Sequence, residues 1–188
     1  MAWVPVCPVF RIAFPQGIFR MAWTTFVVIA VFFLVPMSVR AEYVLPYPSY
    51  MPGNKLYRIS RLIDRIKKPF YFGNISSVKY HLGLSDKYLV EAKTLFEYKQ
   101  YLLAIDALSR SDTEFTKAPA YIKRAKSEKK EVRNFETQLQ EAAEAHQLIL
   151  KNLREAVPEQ FLWTPEKEKS INLPLEDLIN SSITLRSY

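Results

Sequence analysis

Histidines, cysteines and paired acids are where chemistry would show first, and this sequence of 188 residues holds few of them. Its histidines are His81 and His146, and its single cysteine is Cys7. A zinc centre needs four ligands, or three and a water, usually His and Cys at short spacings. Two histidines 65 positions apart, with no thiol after Cys7, do not make that pattern. The four glycines are scattered, so no glycine-rich loop is present to cradle a phosphate. Serine, histidine and aspartate occur without a Gly-x-Ser-x-Gly elbow to expose a nucleophile. Glu176 and Asp177 are adjacent rather than facing, unlike the carboxylate pairs that cleave glycosides. The expectation is a protein that is not an enzyme, with no catalytic residue, no metal and no cofactor. His146 falls on an apolar track and reads as a hydrogen-bonded core histidine. With a reference pKa near 6.5, it is also the group through which packing could respond to pH. Asn74-Ile-Ser76 and Asn180-Ser-Ser182 fit the N-glycosylation pattern, which is frequent by chance.

Charge is the second source of recognition. The net charge is +7, and the basic residues are clustered. Lys55, Arg58, Arg61, Arg65, Lys67 and Lys68 face only Asp64. Lys117, Lys123, Arg124, Lys126, Lys129, Lys130 and Arg133 form a second cluster. Solvated helix faces are the commoner meaning of such runs; attraction to anionic lipid or envelope polymer is the functional one. Arg58, Arg61, Arg65, Lys67 and Lys68 are therefore the candidate interaction surface. Nucleic acid is not expected as a partner, because the leader places the domain outside the cytoplasm.

That leader is the run Met21 to Val39, which carries no charge in nineteen positions. Arg11 and Arg20 precede it, and Val39-Arg40-Ala41 follows with small residues where an export signal would be cut. Pro36 breaks the helix just before that point. The predicted cut lies between Ala41 and Glu42. The alternative is a retained anchor, since a full span needs roughly 20 apolar residues and this run comes close. In both cases the arginines stay cytoplasmic and the rest is delivered outside, giving contact with the membrane through the N-terminal helix. Met21-Ala-Trp repeats Met1-Ala-Trp, so translation could also begin at Met21. Cys7 lies in the leader, which leaves the mature part without a disulfide.

Beyond the leader, the prolines of residues 42–53 predict an extended spacer. Asn54 is a good N-cap, and Leu56, Ile59, Leu62, Ile63 and Ile66 recur at helical spacing until Pro69. The favoured reading packs this basic amphipathic helix on the helices that follow; an interfacial membrane helix is the alternative. Ser76 or Ser77 caps a second helix, interrupted by Gly83, where close packing or a bend is expected. Tyr88, Ala92, Leu95, Tyr101, Ala104 and Leu108 follow the alternation of large and small residues in a tetratricopeptide-like hairpin. A step of 34 residues takes Ala92 to Lys126, so no second repeat follows. From Pro119 to Pro158 no glycine or proline intervenes, and one long helix is expected. Its apolar tracks are Ala125, Val132, Leu139, His146, Leu153 and Phe135, Ala142, Ile149, Ala156. Ala143, Leu150 and Val157 widen that face, favouring packing within a bundle over a homodimer through the long helix. After Pro158 the chain reads as a tail with a short helix near Pro174 to Ile179, either a cover for the bundle or a docking peptide.

The order of these features resembles a bacterial family of exported domains with no assigned function. Leu45-Pro46 leading to Met51-Pro-Gly-Asn-Lys-Leu-Tyr57 is similar to its opening, although Lys55 stands where proline is usual. Val78-Lys-Tyr-His-Leu-Gly-Leu-Ser-Asp-Lys-Tyr-Leu-Val-Glu-Ala92 resembles its central helix. His146-Gln-Leu-Ile-Leu-Lys-Asn-Leu-Arg-Glu-Ala-Val-Pro158 resembles its closing helix. The resemblance spans about residues 44–158; it implies an envelope-facing helical domain and supplies no active site. The expected architecture is all-α: a signal or anchor over 1–41, a spacer over 42–53, a helical domain over 54–158 and a tail over 159–188. The expected role is a non-enzymatic extracytoplasmic domain that docks a protein or an anionic envelope component. A membrane-anchored sensor is the second reading.

Overall fold

The structure is a computed structural model that describes residues 43–187 other than Glu168. The leader, Cys7 and the cut between Ala41 and Glu42 lie outside the described residues. Tyr43 to Tyr188 form one compact unit. The unit is mostly helical, in agreement with the all-α class, with one short β-hairpin added. Among the described residues no helix is long and apolar enough to cross a membrane.

Helix α1, Lys55–Lys67, starts where Asn54 accepts from the Leu56 amide at 2.9 Å. A 3-10 turn over Lys68–Phe70 holds Pro69 and ends it. Helix α2, Asn74–Glu97, begins slightly before the predicted serine cap, at Gly73 with φ +83°. Helix α3, Tyr101–Phe115, packs back along α2 as the expected hairpin. Ala92 and Leu95 share one apolar cluster with Tyr101, Ala104 and Leu108, and these five and Tyr88 are all buried. The alanines let the two backbones approach, and Tyr101 packs in the cluster between them.

The single long helix is replaced by two. Helix α4 runs Lys117–Ser127 and helix α5 runs Arg133–Ala156. Lys129 takes φ +58°, the Lys130 amide donates to the Ala125 carbonyl at 3.1 Å, and that of Lys129 donates to Lys126 at 3.0 Å. This is a Schellman cap with lysine in the left-handed position that glycine usually fills. Lys99 does the same between α2 and α3, with Gln100 donating to Leu95 at 2.9 Å. The predicted seam survives the break: Ala125, Val132, Leu139, His146 and Leu153 are all buried within the bundle. Of the second track, Ala142 is buried and Ala156 is exposed.

The tail is more ordered than its polar composition predicts. Strands β1, Gln160–Trp163, and β2, Ile171–Pro174, pair antiparallel with Phe161 opposite Leu173. Helix α6, Leu175–Leu185, follows at once and puts Leu175 and Ile179 fully inside. The tail therefore covers the bundle.

Two apolar clusters result, with a polar layer between them. One holds Leu89, Ala92, Leu95, Ala104, Leu108, Leu150, Leu153, Leu175 and Ile179. The other holds Val78, Leu82, Phe115, Ala118, Ile122, Leu139, Ala142 and Ala143. Ser85 and Asp86, Ser111 and Asp112, and His146 each fall along their helices between residues of the two clusters.

Candidate functional site

Helix α1 is docked by its polar side. Tyr57, Ser60, Arg61 and Asp64 recur at helical spacing and form the half-buried face. The Tyr57 hydroxyl donates to Glu91 Oε1 at 2.7 Å and accepts from Arg61 at 3.1 Å and Arg110 at 2.9 Å. Arg61 and Arg110 lie over the Tyr88 ring at 5.7 and 5.6 Å. Lys87 pairs with Asp64 and donates to Ser60 at 3.0 Å, while the Tyr80 hydroxyl donates to the Asp64 carbonyl at 2.7 Å. Burial pushes the Glu91 carboxyl up, and the Tyr57 hydrogen bond only partly opposes it. The Tyr88 phenol is likewise pushed up by burial, to about 12.

The apolar side consequently points away from the bundle, which corrects the favoured packing. Leu56, Ile59, Leu62, Ile63 and Ile66 remain 44–56% exposed, and no residue of α1 is buried. The physical reason lies in the partners: Glu91, Lys87, Arg110 and Tyr88 on α2 and α3 offer charge and hydrogen bonds to α1, so its polar stripe matches them better. Pro46, Tyr47 and Tyr50 of the spacer line a groove of about 500 Å³ with Leu56, Ile59 and Ile63 of the stripe, Asp64 and Lys67 of α1, and Gly83 and Lys87 of α2. Phe70 and Phe72 just after the helix are 70% and 80% exposed.

Of the five predicted interaction residues, Arg61 belongs to the clamp and is half-buried. Arg58, Arg65, Lys67 and Lys68 are exposed and enter no ion pair among the described residues. Asp64, the lone acid of this region, is turned inward. Its isolation among cations was the available sign that it had a partner elsewhere. From sequence, Tyr57, Lys87 and Glu91 are not marked as site residues, and Tyr88 is marked only as part of the hairpin.

The two histidines serve separate networks. His81 Nδ1 lies 2.6 Å from Glu114 Oε2, and its ring stacks on Tyr121 at 5.1 Å. Burial alone would raise the Glu114 carboxyl, but hydrogen bonds from His81 and Lys117 hold it below the usual range. His146 is fully buried in the polar layer, as a core histidine should be. Arg186 Nε donates to His146 Nδ1 at 3.1 Å, so the proton sits on Nε2, which donates to Asp86 at 2.8 Å. Arg186 also donates to Asp112 at 2.6 Å and to Ser111 at 3.0 Å. The Tyr43 hydroxyl completes Asp86 at 2.6 Å. Desolvation lowers the His146 pKa, with Arg186 adding to the effect and Asp86 opposing it. The arrangement resembles a proton relay in its residue types; His146 and Arg186 are fully buried in it, and the network ties the helices together. Ser182, the third residue of the second glycosylation triplet, is buried here too and donates to Asp112 at 2.7 Å. Among the described residues no three His, Cys, Asp or Glu converge as a metal site.

Fold and surface together define a helical bundle domain that presents one basic amphipathic helix outward. Residues 49–160 match the family described as a domain of unknown function, DUF5667, and the chain belongs to that family. No curated protein and no solved structure matches the chain.

Proposed function

We propose that this chain is a non-enzymatic domain working outside the cytoplasm, which docks onto an envelope component through the outward side of α1. The observation that carries the reading is the exposed stripe Leu56, Ile59, Leu62, Ile63 and Ile66 beside the exposed cations Arg58, Arg65, Lys67 and Lys68. Contiguous apolar surface rimmed by charge marks interaction sites more than solvated faces. The charge-free run Met21 to Val39 supports export. The test is fractionation of cells producing the full chain, with protease added outside before lysis. Wild type should be digested from outside and recovered with the envelope. Ile59→Asp/Ile63→Asp should stay exported yet lose the part of envelope retention that α1 supplies. Protection from external protease would refute the reading.

A sensor role draws on the buried His146 layer, which links α2, α3, α5 and α6 through one titratable ring. It requires the run Met21 to Val39 to be kept as an anchor, so an intact mass that begins at Glu42 would remove it.

A further inference from the structure

We infer that the component docked by α1 is an anionic lipid surface, on which the helix lies flat with its apolar stripe in the headgroup layer. This rests on the docking reading above and names its occupant. The stripe from Leu56 to Ile66 extends for about 15 Å at 1.5 Å per residue, a shape suited to a plane rather than a pocket. Within residues 43–73 the cations are Lys55, Arg58, Arg61, Arg65, Lys67 and Lys68, and the acid is Asp64 alone, which faces Lys87 inside. The outward surface is therefore apolar and purely cationic, the pattern of interfacial helices that bind acidic headgroups. Tyr47 and Tyr50 along the groove, with exposed Phe70 and Phe72 beyond the helix, supply the aromatics that settle at a membrane–water boundary.

Other occupants answer only half of this surface. A second copy would set two such cationic faces together and repel. The neutral run Met21 to Val39 could cover the stripe but would leave Arg58, Arg65, Lys67 and Lys68 without counter-charge. An anionic bilayer satisfies the stripe and the cations at once.

Two measurements decide it. Residues 43–188 form their own compact unit and hold the described members of both apolar clusters, so they can be studied without the leader. Sedimentation with vesicles of phosphatidylcholine containing about one-third phosphatidylglycerol should recover the wild-type protein, and pure phosphatidylcholine should not. Arg58→Gln/Arg65→Gln/Lys68→Gln should lower the partition coefficient roughly 100-fold, at about fivefold per cation. Ile59→Asp/Ile63→Asp should abolish recovery, with an unchanged circular dichroism melt showing that the bundle stands. No recovery of the wild type, or equal recovery on both vesicles, would overturn the inference. In cells exporting the full chain, a photoreactive residue at Leu62 should form lipid adducts. A protein adduct, or one to a second copy or to residues 21–39, would overturn the lipid occupant alone. No adduct at all would overturn the docking reading as well.

Discussion

Replacing Arg186 by Met should cost this domain about 3 kcal/mol. The guanidinium is fully buried, lies 5.0 Å over the Phe115 ring, and donates to His146, Asp112, Ser111 and the Ser182 carbonyl. Methionine fills much of its volume and removes every donor. Breaking a buried ion pair by deleting one partner costs about 3–5 kcal/mol, because the other charge stays without compensation. Asp112 keeps 20% of its side chain exposed, so water can reach it, which favours the lower end. Against a total stability of about 5–15 kcal/mol the loss is large. In urea it should move the unfolding midpoint of residues 43–188 down by roughly 1–3 M at an unchanged slope. The double replacement Arg186→Met/Asp112→Asn should recover part of the loss, since the orphaned charge goes too. A loss below about 1 kcal/mol for the single variant would refute the view that this layer is held by charge pairing.

Three further outcomes follow from the same geometry. His146 is surrounded by Asp86, Arg186 and Asp112, and its pKa is lowered on folding, so the unfolded chain takes up the proton first. Its contribution is complete above the unfolded value near 6.5 and declines as pH falls below it, by at most about 1.4 kcal/mol per pH unit; urea titrations of wild type and His146→Gln at several pH values between 7 and 5 should show the slope shrinking in the variant. Gly83→Ala should raise Tm by about 2–4 °C in calorimetry, because a Cβ there meets nothing within 4 Å and a helix-interior glycine costs up to about 1 kcal/mol. Tyr57→Phe should leave Glu91, which is 4% exposed, without its donor; amide exchange in α1 should accelerate by roughly tenfold or more while α2 and α3 stay protected.

The helical hairpin was legible because its signal is local. Tyr88, Ala92, Leu95, Tyr101, Ala104 and Leu108 are close in sequence, and each is buried where the alternation puts it. The seam through Leu139, His146 and Leu153 was legible for the same reason. Lys129 was not, because the left-handed cap usually announces itself with glycine, and here the lysines at 99 and 129 adopt φ +58° instead. Gly83 misled in the opposite sense, since no neighbour crowds it. The short strands β1 and β2 lie in a segment whose few apolar residues fit a loop as well as a hairpin. For α1 the periodicity correctly identified a two-sided helix and could not tell which side faces in. That choice depends on Glu91, Lys87 and Arg110, which lie 23 to 53 positions from their partners Asp64 and Tyr57. Amphipathicity fixes the sides of a helix; the surface that receives it decides their direction.

The outward stripe can be read directly, because residues 43–188 contain no cysteine. Single replacements Ile63→Cys and Ser60→Cys would be treated with a water-soluble maleimide under native conditions. Cysteine at 63 should react nearly as fast as in the unfolded chain and cysteine at 60 far more slowly; slow labelling at 63 with fast labelling at 60 would mean that α1 packs its apolar side on the bundle.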